Sequence, residues 1–256
     1  MANHVLFESD HHRNLLIEDF GSGSMVQANQ HLIIDKGRAM ILDPGGHKIY
    51  SKVLSQTTSE VGTGKLEYIF LSHQDPDIVA AINGWLMTTD ATAIAPSLWM
   101  RFIPHFGLDD LVASRLRPID DDGCIMTLGG SELMILPAHF LHSCGNFQVY
   151  DATSKILYSG DLGASIGIDY LEVADFDAHI PKMQGFHQRY MTSNAAMRAW
   201  ARMVESLEIE IIAPQHGAYF RGTMVKRFID WCASLQCGLD LMSDVYQLPT
   251  RRATPS

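Results

Sequence analysis

Three side chains that can bind metal stand within five residues at the end of a short apolar run. His73, Asp75 and Asp77 follow the sequence Tyr-Ile-Phe-Leu-Ser, which begins at Tyr68. Because side chains alternate along an extended chain, this spacing predicts that all three point to one side. Imidazole and carboxylate groups arranged in this way favour a metal site, and capping of a following helix by the two aspartates is the alternative.

Three further candidate ligands stand at greater distances along the chain, and each comes after an apolar stretch that predicts a strand. They are His142, Asp161 and His216. Loops at strand ends are where functional sites are usually built. Because every candidate lies at the carboxyl end of a predicted strand, one edge of a layered fold can gather all six.

The elements that must position these residues alternate between strands and helices in both halves of the chain. Strands are predicted over Met25–Asp35, Ala39–Leu42, Tyr68–Leu71, Thr92–Ala95, Cys124–Thr127, Glu132–Leu136, Phe147–Tyr150, Ile156–Ser159 and Ile209–Ala213. Helices are predicted over His47–Ser55, Asp77–Leu86, Ser97–Phe102, Asn194–Leu207 and Val225–Leu235. Short turns between several strands favour an α/β (α+β) fold class, an αββα sandwich of two mixed β-sheets flanked by helices, over a purely parallel sheet.

Length and charge restrict the class of protein. The 256 residues contain neither a repeat nor a low-complexity linker, so we predict a single domain over residues 1–256. The 19 Lys and Arg against 29 Asp and Glu give a formal net charge of −10. This acidity argues against a nucleic-acid partner and against a polybasic membrane surface. The 12 histidines are unusual beside four cysteines and point again to metal.

Targeting signals are not evident in the sequence. The N-terminal stretch has no apolar core of a signal peptide, and no window approaches roughly 18 uninterrupted apolar residues. The four cysteines form no Cys-x-x-Cys pair; they are Cys124, Cys144, Cys232 and Cys237. We therefore expect a cytoplasmic protein with reduced thiols and no membrane partner.

The order of the six candidates resembles the metal motif of the metallo-β-lactamase superfamily. That motif is His-x-His-x-Asp-His, followed by a distant His, an Asp and a last His. The chain most resembles the diiron branch, the flavodiiron and oxygen-binding diiron proteins, in which a carboxylate replaces the second His; here it is Asp75. The resemblance runs from about Met25 to about Gly217 and implies the metallo-β-lactamase fold.

The resemblance also implies two iron ions with Asp161 as the bridge between them. The implied ligands are His73, Asp75, His142 and Asp161 for the first metal, and Asp77, Asp161 and His216 for the second. The final His of the motif falls on Ile78, which cannot bind metal. The second metal is then one protein ligand short, which leaves open an extra water, ready binding of a small ligand, or a weakly held metal.

The implied ligand set bears on which metal is bound. Three imidazoles and three carboxylates suit iron or manganese better than zinc, which favours His and Cys in tetrahedral sites. Zinc or manganese with hydrolytic chemistry stays an alternative, in which a metal-bound water attacks an ester or a lactone. The loss of a His at Ile78 counts modestly against hydrolysis, because that ligand normally holds the second metal.

Flavodiiron reductases join this domain to a flavodoxin-like domain. Residues 217–256 contain no second series of strands and helices, and the chain has no Gly-rich phosphate loop after a strand. We therefore expect no flavodoxin-like domain and no FMN in this chain. The first hypothesis is a non-haem diiron protein that binds O2 or another small diatomic ligand, as a sensor or store.

Three other functions remain open on the sequence. They are a diiron oxidoreductase that reduces O2 or NO with an external electron donor, a metal-dependent hydrolase of esters or lactones, and a scaffold that binds partners without metal. The resemblance also implies a homodimer and a separate redox or signalling protein as a partner. No catalytic residue is assigned.

Four residues near the candidates are expected to support the site without binding metal. Asp43, in Asp-Pro-Gly at a strand end, resembles the structural Asp of the superfamily and is expected to bond nearby backbone. His139 either lines the pocket or packs in the fold. His187 and Tyr190 either approach the site from the loop before the long predicted helix or are surface and capping residues. His12, in contrast, is predicted to be solvated in a polar turn.

Overall fold

The computed structural model has two β-sheets packed face to face between two layers of helices. It describes residues 3–17, 20–21, 23, 25–242 and 246–248. Within those ranges no helix has the length and apolarity needed to cross a membrane. The predicted αββα sandwich of mixed sheets is confirmed by the arrangement of the strands and helices.

The first sheet follows the order of the chain. Its strands are β1 (His4–Glu8), β2 (His12–Ile17), β3 (Gln30–Asp35), β4 (Arg38–Leu42), β5 (Lys65–Phe70), β6 (Thr92–Pro96) and β7 (Leu116–Ile119). Strands β1 to β4 pair antiparallel. The predicted hairpin between β3 and β4 turns through Lys36 and Gly37, both with positive φ, as tight two-residue turns require. Strands β4 to β7 pair parallel.

The second sheet carries the other three candidate ligands at its strand ends. Its strands are β8 (Cys124–Leu128), β9 (Ser131–Pro137), β10 (Phe147–Asp151), β11 (Ile156–Gly160), β12 (Ile211–Pro214) and β13 (Phe220–Arg221), in the spatial order β13-β12-β11-β10-β9-β8. Only β11 and β12 pair parallel. Parallel neighbours need a long crossover connection, and here the intervening chain is largely helical.

The helices cover the outer faces of the two sheets. They are α1 (Tyr50–Val61), α2 (Pro76–Val79), α3 (Ile82–Thr88), α4 (Asp110–Ala113), α5 (Phe176–Tyr190), α6 (Asn194–Val204) and α7 (Thr223–Ser234). The alternation of side chains sorts residues into layers. Leu32 packs with Val53 of α1 in the first helical layer, whereas the next residue, Ile33, packs with Val149 between the sheets. Helices α5 to α7 enclose a third apolar layer on the second sheet.

Two sequence predictions near the N-terminus are wrong. The strand predicted over Met25–Asp35 begins only at Gln30, because residues 27 and 29 bond to a loop of the other sheet rather than to a neighbouring strand. The sequence pattern also does not reveal β1 and β2. His12 is not solvated but 2% exposed, held between the sheets by Asp35 and Asp151, so a polar residue occupies a position where the pattern requires an apolar one.

Several predicted helices are also corrected. The helix predicted over Asp77–Leu86 is two helices, α2 and α3, with a break at residues 80–81. The segment Ser97–Phe102 forms only a short 3-10 turn, Ser97–Trp99. Helix α5 is absent from the sequence prediction because Pro181 and a glycine lie inside it, and both lower helix propensity.

Candidate metal centre

The first group of candidates lies where β5 runs into α2. Asp75 is the N-cap residue of α2, and Pro76 occupies the first turn, where a missing N–H costs little. The Asp75 side chain makes no capping hydrogen bond, so its carboxylate is available to the site. The prediction that Asp77 lies in an extended segment with alternating side chains is wrong, because Asp77 lies in the first turn of α2.

The other three candidates follow strands of the second sheet. His142 lies in the loop after β9, where the Asn146 side-chain amide donates to the carbonyl of Leu141 at 2.5 Å. Asp161 directly follows β11, and His216 follows β12 after one residue. The carboxyl ends of β5, β9, β11 and β12 thus meet at one edge of the sandwich.

Four of the candidates form one compact cluster. His73, Asp75, His142 and Asp161 each offer one ligand atom, and these atoms all lie within 4.8 Å of one another. His142 Nε2 lies 2.9 Å from Asp161 Oδ2. His73 Nε2 lies 3.6 Å from Asp75 Oδ2 and 3.7 Å from Asp161 Oδ1. These are the four residues that the family resemblance assigns to the first metal.

The remaining two candidates, Asp77 and His216, lie outside this cluster but also close to Asp161. His216 Nε2 is 3.5 Å from Asp77 Oδ2 and 3.6 Å from Asp161 Oδ1. Asp161 therefore faces both groups, which is the geometry a bridging carboxylate requires. Ile78 is fully buried in the apolar layer under the first sheet and offers no ligand.

The hydrogen bonds of the ring nitrogens fix how two of the imidazoles face the centre. His216 Nδ1 donates to the backbone carbonyl of Gln27 at 2.6 Å. Because a carbonyl only accepts, the proton is on Nδ1 and the Nε2 lone pair faces Asp77 and Asp161. His73 Nδ1 lies 2.9 Å from the Ser72 hydroxyl. An N–H held in this way is the usual support of a metal-binding histidine.

The cluster contains buried polar atoms that a cation would satisfy. His73 Nε2 and Asp161 Oδ1 are buried and have no hydrogen-bond partner. Leaving such atoms unpaired costs about 1–3 kcal/mol each. A metal ion that accepts their lone pairs removes this cost, so the residues present fit a metal centre.

Without metal, the charges of the cluster are tightly coupled. Burial lowers the pKa of His73, but the nearby carboxylates of Asp75 and Asp161 outweigh burial and raise that pKa to about 9. Burial raises the pKa of Asp161, but His142 and His73 hold it well below its usual range. Burial also raises the pKa of Asp77, which His216 only partly offsets. Metal binding must therefore displace a proton from His73 at neutral pH.

Asp43 supports the cluster from behind. Its Oδ1 accepts a hydrogen bond from the backbone N–H of Ser72 at 2.8 Å, and Ser72 in turn contacts His73. Its backbone is left-handed, with φ of 48°. Burial raises the pKa of this carboxyl to about 6.

His187 and Tyr190 lie on α5, not in a loop. His187 is fully buried; its Nε2 accepts from the Gly163 N–H at 2.9 Å, and its Nδ1 donates to the Met183 carbonyl at 2.7 Å. Burial lowers its pKa to about 4, so it is neutral and ties α5 to the loop that carries Asp161. The Tyr190 ring is about half exposed and lies 5.6 Å from the ring of His142.

His139 does not join the cluster. Its Nε2 lies 2.7 Å from the carbonyl of Asp121, and its ring packs edge-on against Phe147 at 5.1 Å between centroids. It therefore holds the turn at residues 120–123.

Several residues that shape the site are not predicted from the sequence. Phe186 stacks on Tyr190 at 4.6 Å and packs beside His142. The spacing of these two aromatic residues by four is the signal that would have revealed them on a predicted α5. Gln27 and Asn29, which hold the loop of His216, carry no such signal.

The fold and the site together define a metal-binding protein of the metallo-β-lactamase fold. The family model described as ODP family beta lactamase matches residues 26–217. The chain belongs to this family, as its resemblance to the diiron branch predicts.

Solved structures agree with this assignment. The chain is 40% identical to the chemotaxis sensor ODP in a structure of its peroxy diiron species, with a TM-score of 0.86 that covers 95% of this chain and 100% of that one. It is 39% identical to the apo state of ODP from T. denticola, with a TM-score of 0.85 over 96% and 99% of the two chains. The flavodiiron protein of Giardia intestinalis shares the fold at 17% identity, with a TM-score of 0.75 over 91% of this chain and 58% of that one.

Two curated relatives are longer. An uncharacterized protein of Methanocaldococcus jannaschii is 22% identical over 212 residues, which are 79% of this chain and 52% of that one. A Synechocystis protein with the name diflavin flavoprotein A 2 is 25% identical over 194 residues, which are 71% of this chain and 32% of that one. The chain thus spans about half and about a third of the length of these relatives.

Proposed function

We propose that the chain is a non-haem diiron protein that binds O2 at a dinuclear site bridged by Asp161, as a sensor or a store. The observation that carries this proposal is the convergence of four ligand atoms within 4.8 Å, with His216 and Asp77 across Asp161 from them. The chemotaxis sensor ODP, 40% identical and described as a peroxy diiron species, supports it.

The proposed ligands divide between the two metals. The first iron takes His73, Asp75, His142 and Asp161, and the second takes Asp77, Asp161 and His216. A reduced diiron pair supplies electrons and open coordination positions to which a small diatomic ligand can bind. The second position has three protein ligands, since Ile78 is buried in the core, and so it offers more room for an outside ligand than the first.

The chain's own residues prepare this site in three ways. Ser72 and the carbonyl of Gln27 orient the imidazoles of His73 and His216. The carboxylates supply three negative charges against the four positive charges of two divalent ions, which favours their binding in a partly buried site. Phe186 and Tyr190 set aromatic rings against His142.

Three expectations concern the whole protein, of which the homodimer and the partner rest on the family resemblance and the cytoplasmic location rests on the sequence pattern. We predict a homodimer, a separate redox or signalling protein as partner, and a cytoplasmic location. Light scattering of the purified protein tests the first, and co-purification from the native cell extract with mass spectrometry tests the second.

The test of the proposed function is exposure of anaerobically Fe(II)-loaded protein to O2. We expect about two irons per chain and an absorption band that forms with O2 and persists. Rapid consumption of O2 in the presence of a reductant would instead identify a diiron oxidoreductase. Bound zinc together with turnover of esters or lactones would identify a hydrolase and overturn the proposal.

A further inference from the structure

The loop that carries His216 is held by residues 25–29, the segment that precedes strand β3 of the first sheet. Gln27 contacts this loop twice. Its backbone carbonyl accepts from His216 Nδ1 at 2.6 Å, and its side-chain Oε1 accepts from the N–H of Gly217 at 2.6 Å. One residue thus fixes both the ring of His216 and the backbone that follows it.

Asn29 completes the contact. It is 1% exposed, and its Oδ1 accepts from Gln27 Nε2 at 2.7 Å. Its side-chain amide donates to the backbone carbonyls of Pro214 at 3.0 Å and Gly217 at 2.8 Å. Its backbone N–H donates to the backbone carbonyl of Gln215 at 2.6 Å. Every residue from 214 to 217 therefore bonds to Gln27 or Asn29.

These contacts bear on the second metal position more than on the first. His216 is a proposed ligand of the second metal only. His73 and the loop of His142 are supported by other residues, Ser72 and Asn146. A carbonyl that accepts the free N–H of a metal-binding histidine fixes its tautomer and orientation, and loss of such a partner typically lowers metal affinity by 10- to 100-fold.

We propose that Gln27 and Asn29 are positioning residues for His216, and that they set the affinity of the second metal position. This inference rests on the proposed dinuclear site. Met25, Val26, Gln27 and Asn29 border a cavity of about 690 Å³, which Ser165, Ile166 and Tyr170 also line. Because Gln27 is only partly buried beside this cavity, its side chain can be truncated without leaving a closed void in the core.

The decisive variant is Gln27→Ala, titrated anaerobically with Fe(II) as full-length protein. Loss of Oε1 and Nε2 removes the bonds of residue 27 to the Gly217 N–H and to Asn29, which anchor the segment whose carbonyl accepts from His216. We expect the second Fe(II) to bind at least about tenfold more weakly, with the first affinity unchanged within about twofold. The exposed residue Gln236 provides the matched control, Gln236→Ala, which should leave both affinities unchanged.

A second readout separates positioning from general stability. In metal-free protein, 15N NMR of the His216 ring should show the Nδ1–H tautomer in the wild type and a mixture of tautomers in Gln27→Ala. Asn29→Asp, which keeps the acceptor for Gln27 but loses the donor to residues 214 and 217, is expected to weaken the second Fe(II) in the same direction. Circular dichroism verifies that each variant is folded.

The outcomes are distinguishable. Unchanged second-site affinity in folded Gln27→Ala, beside a wild type that binds two Fe(II), overturns the positioning role and leaves the proposed function intact. An equal fall of both affinities also overturns it, because it marks a general effect on the fold. A wild type that does not bind two Fe(II) refutes the proposed function itself.

Discussion

Replacement of Asp161 by asparagine removes a negative charge that both proposed metal positions share. One carboxylate oxygen, Oδ1, lies 3.7 Å from His73 Nε2 and 3.6 Å from His216 Nε2, and the other lies 2.9 Å from His142 Nε2. Asparagine has nearly the same shape, so Asp161→Asn tests the charge and the bridge with little change in packing.

The magnitude follows from the geometry. A unit negative charge about 4 Å from a divalent ion contributes about 8 kcal/mol at an effective dielectric constant of 20, twice the value for two unit charges. Dehydration of the ion offsets much of this attraction. If only about a sixth of it remains, each metal loses about 1.4 kcal/mol, which is a factor of about ten in its dissociation constant. We therefore expect both Fe(II) affinities to fall at least about tenfold in Asp161→Asn.

The assay is anaerobic Fe(II) titration followed by calorimetry and by iron analysis after gel filtration. Asp77→Asn is the informative comparison, because Asp77 lies 3.5 Å from His216 Nε2 and is a proposed ligand of the second metal alone, so that its loss should weaken the second metal. Exposed Asp90 provides a neutral control as Asp90→Asn. Retention of two irons at wild-type affinity in Asp161→Asn would refute the bridging assignment.

Three further predictions follow from individual residues. In His142→Ala the affinity for the first metal should fall more than the affinity for the second, as stepwise iron titration will measure. Loss of the second metal alone would contradict the proposed division of the ligands between the two metals. His187→Leu leaves the buried N–H of Gly163 without its acceptor and should cost about 1–3 kcal/mol, which lowers Tm by about 2–4 °C per kcal/mol; an unchanged Tm would mean that water replaces the ring. Burial lowers the pKa of His12, but the carboxylates of Asp151 and Asp35 outweigh burial and raise this pKa. Protonated His12 therefore stabilises the fold below its unfolded pKa near 6.5, and this stabilisation is lost as the pH rises through the folded pKa. His12→Gln should therefore cost more stability to urea at pH 5.5 than at pH 9, and an equal cost at both would contradict a charged His12.

The positions of the candidate ligands are readable from the sequence because each follows a strand. Apolar runs mark the strand ends near His73, Asp161 and His216, and the place of each candidate at the carboxyl end of a strand predicts that one edge of the sandwich can gather them. The division of these ligands into two groups that share Asp161 depends instead on distances in the folded structure. The helical placement of Asp77 is a local effect that extended alternation does not capture, because Pro76 starts a helix there.

The supporting contacts are beyond sequence reasoning for a physical reason. Gln27 and His216 are 189 residues apart, and their bond joins a backbone carbonyl to a ring nitrogen, so no residue type signals it. The same holds for His12, whose ring is hydrogen-bonded to Asp151, a residue 139 positions away in the sequence. Polar residues buried between sheets disguise the strands that carry them, because strand prediction relies on apolar alternation.

The most direct test of a dinuclear centre is the crystal structure of the Fe(II)-loaded protein, with anomalous diffraction measured at the iron edge. We predict two iron peaks on opposite sides of Asp161. One lies among His73, Asp75 and His142, and the other between Asp77 and His216. A single peak, or two peaks that do not share Asp161, would contradict the bridged diiron site.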